Sequence, residues 1–398
     1  MRFSLSLLSL LTVSLASPIG KLFARDEAST TASLDAATST DSSASVAYGN
    51  PFALFKPKVF IISMFYLERD PWLEELDMVY NITIPGLSPV YPEIHCVANY
   101  SICQVTTGEA EINAAATITA LTLSPLFDLT ETYFMVAGIA GISPKMGTIG
   151  SATFARFAVQ VGLAYEVDAR QMPANWTTGY FPFGTTYSDQ YPENIYGTEV
   201  FELNVNLRDH ALYLAQQVEL NNGTEANAEF RALYPYAPAN ELPKAIAGDT
   251  ATSDVYWFGS LLAESFENYI TLVTNGTAVY CSTQQEDNAT LEAMVRAAKH
   301  GLVDFSRIVV LRTASDFDRP PPIYENDTTY FFNDAYQGGI SASLKNLVIA
   351  GLPFVEDVIN NWDHLYATNY FTPANYIGDF FGTLGGTPDF GTDSDHSA

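Results

Sequence analysis

The sequence predicts an α/β fold, in which a largely parallel, twisted mixed sheet lies between helices on both of its faces as a three-layer structure. Two observations support this prediction. Short apolar runs alternate along the chain with longer helical patterns, and 47% of the residues are hydrophobic, which is enough to fill a large core. Because strand, helix and strand follow one another, neighbouring strands are expected to run parallel.

The predicted elements follow in chain order. Apolar runs predict strands at 58–64, 133–137, 278–282 and 307–313, with further strand material at 151–165. Helical patterns predict helices at 113–126, 206–218, 291–300 and 343–362. Each of these apolar strand runs is short, as expected for strands in the interior of such a sheet.

One large domain, predicted at 51–384, accounts for most of the 398 residues. Residues 1–17 are predicted to be a signal peptide and residues 18–50 a flexible leader. The leader is rich in Ser, Thr, Ala and Asp, so it cannot bury enough apolar surface to offset the entropy of ordering. The tail at 385–398 has a similar composition and is predicted to be disordered.

The N-terminus has the layout of a secretion signal. Arg2 precedes an apolar run at 5–15, and small residues follow at Ala16 and Ser17. The run is shorter than the about 20 apolar residues that a spanning helix needs. Seven Asn-x-Ser/Thr triplets also favour the secretory pathway; they begin at Asn81, Asn99, Asn175, Asn222, Asn275, Asn288 and Asn326. We therefore expect a secreted, cell-wall or vacuolar protein.

The charge of the chain excludes some classes of partner. The formal net charge is −27, so nucleic acid and anionic membrane surfaces would be repelled over most of the surface. The most apolar region after the signal, 133–163, is interrupted by glycines and contains Lys145 and Arg156, so no membrane span is expected. The five histidines show no ligand spacing, and neither a metal nor a cofactor is expected.

The three cysteines are consistent with an oxidising compartment. Cys96 and Cys103 lie close enough in the sequence to bridge a short loop, and we expect a disulfide between them. Cys281 then remains as the odd thiol. Because it lies in the apolar run 277–281, we expect it to be a small buried core residue.

Acidic residues follow three of the predicted strands. Glu68 comes just past the first strand, Glu286 and Asp287 follow a later strand, and Ser315 and Asp316 follow the next one. The last two strands are linked by a single helix, so their carboxylates are expected side by side at one edge of the sheet. Such a pair suits acid/base chemistry. Taken alone, each acid is also typical of a solvated loop or, for Glu68, of a helix N-terminus.

Two glycine-containing turns also follow predicted strands. The first contains Gly108, and the second contains Gly138, Ala140 and Gly141. Glycine allows the backbone to approach a ligand or a neighbouring strand closely. Neither turn ends in Gly-Lys-Ser/Thr, so the sequence does not favour binding of a nucleoside triphosphate.

Taken in order, these segments resemble the nucleoside phosphorylase and 5′-methylthioadenosine nucleosidase superfamily. The matching segments are 64–68, 108–115, 138–144, Glu286 and the pair Ser315-Asp316. The chain resembles the fungal purine nucleoside permease family more closely, through 165–170, 179–182, 285–288 and 311–320. The resemblance covers roughly 58–380, and it rests on the ordered set of segments because no single motif is specific.

The resemblance implies a nucleoside phosphorylase-like fold and a purine nucleoside as the ligand. It implies that Glu286 holds the ribose hydroxyls, that Asp316 protonates or hydrogen-bonds the purine at N7, and that Glu68 orients water. One protonated and one ionised carboxylate suit cleavage of an N-glycosidic bond. The remaining predicted substrate-binding residues are Ser315, Gly108, Gly138, Ala140, Gly141, Asp287, Phe317 and Tyr180. For Tyr180, Phe181 and Phe317, stacking on the base and packing in the core are both open.

Several positions depart from the family pattern. Val136 and Ile139 stand where phosphorolytic relatives have an Arg and a Ser or Thr, so a phosphate dianion would meet apolar groups there. Hydrolysis, or binding without turnover, is therefore favoured over phosphorolysis. Gln285 replaces the Met that usually lies under the ribose. A glycan on Asn288 would crowd the site, so we predict that this Asn stays unmodified.

Three functional hypotheses follow. The first is an extracytosolic purine nucleoside hydrolase, which acts in nucleoside salvage or uptake. The second is a nucleoside-binding component of transport, which would need a separate membrane transporter as its partner. The third is a secreted α/β protein that has lost its ligand. Relatives with this fold are usually oligomers, and a homo-oligomer is one prediction; the preferred base stays open.

Overall fold

A computed structural model of the chain describes residues 52–388 and residue 390. The predicted signal peptide at 1–17 and the leader at 18–50 lie outside the described residues. The predicted disordered tail is described in part, and there the prediction needs a correction. Phe390 is fully buried and packs against Phe157 and Phe380, so the folded domain extends beyond the predicted boundary at residue 384.

The described residues contain fifteen strands. In chain order they are β1 (Val59–Ser63), β2 (Tyr80–Ile82), β3 (Ile94–Cys96), β4 (Ile102–Thr106), β5 (Tyr133–Ile142), β6 (Ala152–Ala155), β7 (Phe157–Gln160), β8 (Ala164–Glu166), β9 (Tyr180–Pro182), β10 (Val200–Glu202), β11 (Ala245–Ala247), β12 (Asp249–Thr252), β13 (Tyr280–Gln284), β14 (Ile308–Phe317) and β15 (Gly378–Asp379). Thirteen of them form one sheet, and β8 pairs with β9 separately.

Eight α-helices accompany these strands in the described part of the chain. They are α1 (Tyr66–Glu75), α2 (Glu111–Thr122), α3 (Val205–Ala215), α4 (Glu225–Arg231), α5 (Ser260–Val273), α6 (Asp287–Lys299), α7 (Thr328–Asn333) and α8 (Ile340–Asn360). The four predicted helices correspond to α2, α3, α6 and α8. None of the described helices is both long and apolar enough to cross a membrane.

The centre of the sheet is parallel and its periphery is mixed. β1 pairs in parallel with β4 and β5, and β14 pairs in parallel with the other side of β5. At the periphery, β2, β3 and β4 form antiparallel pairs, as do β7, β10 and β15. The predicted α/β fold class with a mixed sheet is therefore confirmed.

Helices cover both faces of the central strands. Phe60 and Ile62 of β1 belong to an apolar cluster that includes residues of α2 and α6. The alternate residues Val59 and Ile61 belong to a second cluster, which includes residues of α1, α3 and α8. Because successive strand residues point to opposite faces, the two clusters lie on opposite sides of the sheet. This arrangement gives three layers.

The long strand β5 brings β13 and β14 to one place. The expectation of parallel strands is wrong for β13 and β14, because β5 lies between them and β13 pairs with β5 in antiparallel fashion. Gly141 of β5 is the registered partner of both Thr283 in β13 and Asp316 in β14. The two strands therefore still meet at one point of the sheet.

A disulfide joins two adjacent antiparallel strands at one side of the sheet. Cys96 of β3 is paired in register with Cys103 of β4, and their sulfur atoms are bonded. Cys281 is buried in β13 with a free thiol. Burial raises the pKa of this thiol well above its ordinary value, so it stays protonated and behaves as a small core residue.

We predict that Gly351→Ala destabilises the protein. In an ordinary helix interior the same change would stabilise the fold by roughly 0.5–1 kcal/mol, because glycine loses more backbone entropy on folding than alanine does. A Cβ at this position of α8 would lie 2.7 Å from Trp72 and 3.0 Å from Leu311 and Met135. The ring of Trp72 is fully buried and cannot move aside easily. The crowding should lower the free energy of unfolding by roughly 1–2 kcal/mol, measured by chemical denaturation.

Lys345→Ala is the matched control, because Lys345 is exposed on the same helix. Its free energy of unfolding should stay within roughly 0.5 kcal/mol of the wild-type value. A Gly351→Ala variant as stable as the wild type would show that α8 does not pack against α1 and the sheet in this way.

Candidate functional site

A cavity of about 590 Å³ opens where β5, β13 and β14 meet. Its wall contains six of the predicted site residues: Glu68, Ala140, Gly141, Glu286, Ser315 and Asp316. Further parts of the wall come from the turn after β1, the segment between β12 and α5, residues 283–285 and residues 332–341, together with Glu109, Ile139 and Thr224. The structure thus brings the carboxyl group of Glu68 together with those of Glu286 and Asp316, which lie more than two hundred residues further along the chain.

Glu68 lies in the first turn of α1, and its side chain turns back onto the sheet. Its two carboxyl oxygens accept hydrogen bonds of 2.7 Å from the backbone N–H groups of Met64 and Ile139. Burial raises the pKa of Glu68 to about 8, and the guanidinium of Arg312 opposes this rise. The two backbone hydrogen bonds therefore hold the carboxyl group in one orientation. Its burial favours the neutral form, while Arg312 favours the ionised form.

Arg312 is the buried cation behind the cavity wall. It lies in the middle of β14 with only 2% of its surface exposed. Its Nη2 atom lies 2.6 Å from Oδ1 of Asp287 and 3.2 Å from Oε2 of Glu286, and Nη1 donates to the carbonyl of Ile139 at 3.0 Å. A buried charge is tolerated only when it is paired and hydrogen-bonded, and these contacts satisfy that requirement.

Glu286 comes directly before α6 and is held from two sides. Oε2 faces Arg312, and Oε1 accepts a 3.0 Å hydrogen bond from the backbone N–H of Ala110. Ala110 precedes α2 and has a φ of 74°, an uncommon conformation for a residue with a side chain. Burial raises the pKa of Glu286, while Arg312 favours its ionised form.

Asp316 lies near the end of β14 with both of its oxygens in hydrogen bonds. Oδ1 is 2.6 Å from the hydroxyl of Ser315, and Oδ2 accepts a hydrogen bond of 2.9 Å from the hydroxyl of Tyr256. The Ser315 hydroxyl also lies 3.1 Å from the carbonyl of Ala140. A hydroxyl carries one proton, so both Ser315 contacts are satisfied only when Asp316 is protonated. Burial raises the pKa of Asp316, which favours the same neutral form.

Two glycines allow these groups to approach closely. A Cβ on Gly138 would lie 2.6 Å from Nη1 of Arg312 and 2.8 Å from Oε1 of Glu68. A Cβ on Gly141 would collide with Thr283 and lie 3.4 Å from Oδ2 of Asp316. The absence of a side chain at both positions therefore allows Arg312, Glu68 and Thr283 to pack directly against the backbone of β5.

Three other predicted residues stand behind the cavity or away from it. Gly138 is covered by Arg312 and Glu68, and Asp287 is fully buried in its ion pair with Arg312. Gly108 lies in the turn before α2, where a Cβ would meet the side chain of Asn113. These residues support the wall, and the prediction that they contact a ligand at this cavity is corrected.

The two predicted aromatic contacts are also placed elsewhere. Phe317 is 1% exposed, and its ring centroid lies 4.3 Å from that of Tyr234 in a separate apolar cluster. Tyr180 packs against Phe266 and, with Phe181, lines a different cavity. Successive residues of a strand face opposite sides, so Phe317 points away from the cavity that Asp316 faces. Of the two alternatives left open by the sequence, the structure favours packing for Phe317, and neither Phe317 nor Tyr180 lines this cavity.

Sequence reasoning missed several residues of the site. Arg312 could have been found, because a lone cation after the apolar run 308–311 is costly to bury without partners. Tyr256 and residues 332–341 carry no comparable signal. They reach the wall from segments that are distant in the sequence, so only the tertiary structure reveals them.

The wall of the cavity is acidic. Within the described residues it contains five carboxyl side chains and no Lys or Arg; the acids are Glu68, Glu109, Glu286, Asp316 and Asp334. Arg312 is the nearby cation, and its guanidinium is engaged by buried carboxylates. No cluster of three or more His, Cys, Asp or Glu suited to a metal ion occurs in the part of the chain that the structure describes.

Comparison with known proteins identifies close sequence relatives. Residues 56–370 match the model of the family described as purine nucleoside permease. A purine nucleoside permease of Candida albicans is 56% identical over 393 residues, which cover 97% of this chain and 96% of the relative. A Schizosaccharomyces pombe protein whose description also reads purine nucleoside permease is 42% identical over 324 residues, covering 78% and 92%.

Solved structures are similar at lower identity. A 5′-methylthioadenosine/S-adenosylhomocysteine nucleosidase of Neisseria meningitidis has a TM-score of 0.45 at 14% identity, covering 74% of this chain and 98% of its own. The futalosine hydrolase of Helicobacter pylori has a TM-score of 0.44 at 17% identity, covering 76% and 98%.

We predict that thermal stability decreases as the pH rises from about 5 to about 8. Burial raises the pKa of Glu68 to about 8 and also raises those of Glu286 and Asp316. A carboxyl with a raised folded-state pKa binds more protons in the folded than in the unfolded state, so its stabilising contribution is present at low pH and is lost as the pH rises through the folded pKa. Calorimetry of the melting temperature at several pH values measures this slope.

Glu68→Gln should make the slope smaller between pH 5 and 8, whatever its absolute melting temperature, because the neutral amide does not titrate. Glu75→Gln changes an exposed acid on the same helix and should keep the wild-type slope. Equal slopes for Glu68→Gln and the wild type would contradict the raised pKa of Glu68.

Proposed function

Because the chain belongs to the purine nucleoside permease family, we propose that it binds purine nucleosides in the cavity described above and cleaves their N-glycosidic bond with water. One observation carries the proposal: Glu68, Glu286 and Asp316 face a single cavity from three different strand ends. Cleavage of this bond needs a neutralised base, a held sugar and an oriented water, which are three tasks for three carboxyl groups.

The size and the wall of the cavity suit a nucleoside. Its volume of about 590 Å³ lies within the usual range of small-molecule sites. Apolar side chains, including Phe65, Ile139, Val255 and Phe332, offer contact area for a planar base. The acidic groups of the wall disfavour a 5′-phosphate, so the proposal concerns nucleosides rather than nucleotides.

Glu286 is the proposed ribose ligand. A carboxylate accepts two hydrogen bonds from neighbouring hydroxyls, and a ribose offers its 2′ and 3′ hydroxyls as such a pair. Arg312 and the Ala110 N–H hold the carboxylate in place and favour its charged form. As positive charge develops on the sugar, a nearby ionised carboxylate stabilises it.

Asp316 is the proposed acid for the base. Its raised pKa keeps a proton available at higher pH than an ordinary aspartate would. The Ser315 hydroxyl can turn from the Ala140 carbonyl to donate to Oδ1, which allows the proton to lie on Oδ2 and face N7 of a purine. Transfer of that proton to N7 as the bond between C1′ and N9 breaks lets the base leave in a neutral form.

Glu68 is the proposed base for water. In its ionised form it accepts a proton from a water molecule, whose oxygen forms a bond to C1′ of the ribose. Water thus supplies the hydroxyl of the free ribose and gives a proton to Glu68, while Asp316 gives a proton to the purine. Transfer of the Glu68 proton through solvent to the ionised Asp316 restores the starting state. The backbone donors from Met64 and Ile139 fix the carboxylate for this step.

Water is favoured over phosphate as the attacking group. Ile139 lies on the wall where a phosphate would need hydroxyl or cationic partners, and its backbone N–H is already used by Glu68. The guanidinium of Arg312 is neutralised by buried carboxylates. A dianion in this cavity would be left without a compensating charge, which is costly.

A second candidate function is binding without cleavage, as the nucleoside-binding component of an uptake system. It is favoured by the description of the family, which names a permease. Such a component would act with a separate membrane transporter. Product analysis separates the two candidates, because only the first releases free base.

We predict that purified protein releases free base from adenosine, inosine or guanosine, without need of phosphate, and leaves uridine intact. Asp316→Asn should lower the rate of release by about 10²- to 10⁴-fold, the usual contribution of a general acid, while nucleoside binding is retained. Chromatographic product analysis and calorimetric binding measure both quantities.

Asp189→Asn is the control, because Asp189 is exposed at another cavity, and it should keep the wild-type rate. Binding without release of base in the wild type would select the second candidate. A wild type that neither binds nor cleaves purine nucleosides would overturn both.

We also propose that the protein enters the secretory pathway, on the basis of its N-terminal layout and its sequons. We predict that glycopeptide mapping of the protein made in fungal cells finds glycans at exposed sequons and none at Asn288. The Asn288 side chain is 1% exposed, donates to the carbonyl of Thr198 and accepts from the hydroxyl of Thr252. Exposed Asn175 is the comparison site. A glycan at Asn288, or no glycan at any sequon, would contradict this.

A further inference from the structure

Tyr256 places a phenol hydroxyl on the carboxyl group that is proposed to meet the base. The hydroxyl donates a 2.9 Å hydrogen bond to Oδ2 of Asp316. Ser315 contacts the other oxygen, Oδ1, so Oδ2 is the oxygen left for a ligand, and Tyr256 already donates to it. About half of the tyrosine surface is exposed, and its ring lies against Phe332 on the cavity wall.

The neighbouring residue anchors Tyr256 to the same strand end. Trp257 is buried, and its indole N–H donates at 3.2 Å to the hydroxyl of Tyr280. Tyr280 in turn donates at 2.8 Å to Oδ2 of Asp318, two residues beyond Asp316. The segment that carries Tyr256 is therefore tied to β13 and β14, and the hydroxyl is held at Asp316 rather than resting there by chance.

We propose that Tyr256 is a positioning residue: it holds Oδ2 of Asp316 while the cavity is empty and must release this oxygen when the purine N7 takes it. This inference rests on the proposed binding of purine nucleosides. Donation from Oδ2 to N7 requires the Asp316 proton on Oδ2, and a protonated carboxyl oxygen is a weaker acceptor than the unprotonated oxygen that Tyr256 contacts in the empty cavity. Binding of N7 therefore costs the Tyr256 hydrogen bond, and Tyr256 weakens binding of any base that has N7. A base without N7 gains nothing from its release.

The same contact affects the protonation of Asp316. Burial raises the pKa of Asp316, and the hydrogen bond from Tyr256 opposes the rise because it stabilises the ionised form. The other titratable groups around this carboxyl are Asp318 on its own strand, Tyr234 from the segment after α4, and the acids Asp334 and Glu286 of the cavity wall. Loss of the Tyr256 hydroxyl therefore raises the pKa further, and the neutral acid persists to higher pH.

Tyr256→Phe tests the proposal, because it keeps the ring and removes the donor. The ligands are adenosine and 7-deazaadenosine, in which a C–H group replaces N7, and the measurement is stopped-flow binding at neutral pH, which records the affinity before adenosine is cleaved. We expect Tyr256→Phe to bind adenosine about three- to tenfold more tightly than the wild type, as loss of one competing hydrogen bond implies. Its affinity for 7-deazaadenosine should stay within about twofold of the wild-type value.

The control variant is Tyr330→Phe, which removes a phenol hydroxyl on nearby α7 with no contact to Asp316. It should match the wild type with both ligands. If Tyr256→Phe leaves adenosine affinity unchanged, or changes the affinity for both ligands equally, the inference is overturned while the proposed function stands. If the wild type binds no purine nucleoside, the proposed function fails and the inference falls with it.

Two further readouts need no change of affinity. The pH above which the rate of Asp316-dependent base release declines should be higher in Tyr256→Phe than in the wild type. An unchanged pH dependence on the alkaline side would count against the proposal. In a crystal structure of the wild type with adenosine, the Tyr256 hydroxyl should lie beyond hydrogen-bond distance from Oδ2 of Asp316. A retained contact of 2.9 Å would overturn the inference without use of any variant.

Discussion

The buried guanidinium of Arg312 is the interaction on which the site depends. The chain has a formal net charge of −27. In its interior, Glu286 and Asp287 form ion pairs with Arg312, and Glu68 lies near enough for the guanidinium to oppose the rise in its pKa. Without a cation, such a group of acids would be neutral or would not stay folded, because each buried charge needs a partner. Arg312 meets this need from the buried middle of β14, and Gly138 leaves the space in which Arg312 approaches Glu68.

From this cation follows a difference between the environments of the carboxyl groups. Glu286 lies against Arg312, which opposes the rise that burial causes in its pKa, whereas Asp316 is hydrogen-bonded to Ser315 and Tyr256. Burial favours the neutral form of Asp316. Carboxyl groups whose environments drive their protonation apart are typical of acid/base sites. The same wall offers no free cation among the described residues, and this disfavours phosphate as a reactant.

Features that depend on residues near one another in the sequence were predicted better than features that depend on contacts between distant segments. Five stretches of strand and the helices α2, α3, α6 and α8 were predicted because hydrophobic periodicity is local. The central strand β4 and the helix α5 were not predicted. The grouping of Glu286 with Asp316 was right, but the reason was wrong, since β5 lies between their strands and pairs with β13 in antiparallel fashion. Phe317 was predicted at the ligand site, but the alternation of strand residues places it on the face opposite to Asp316. Phe390 was predicted in a disordered tail, but a polar segment can still contain one core residue.

The sequence by itself determined the α/β class, the positions of the main elements, the acidity of the surface and the residue types that could act on a nucleoside. These properties depend on composition and on neighbours along the chain. Only the tertiary structure decided which of the candidate residues share a cavity, that Arg312 pairs with Glu286, and that Tyr256 rests on Asp316. The physical reason is that burial, pairing of charges and competition for one oxygen atom depend on distances between segments that are far apart in the sequence.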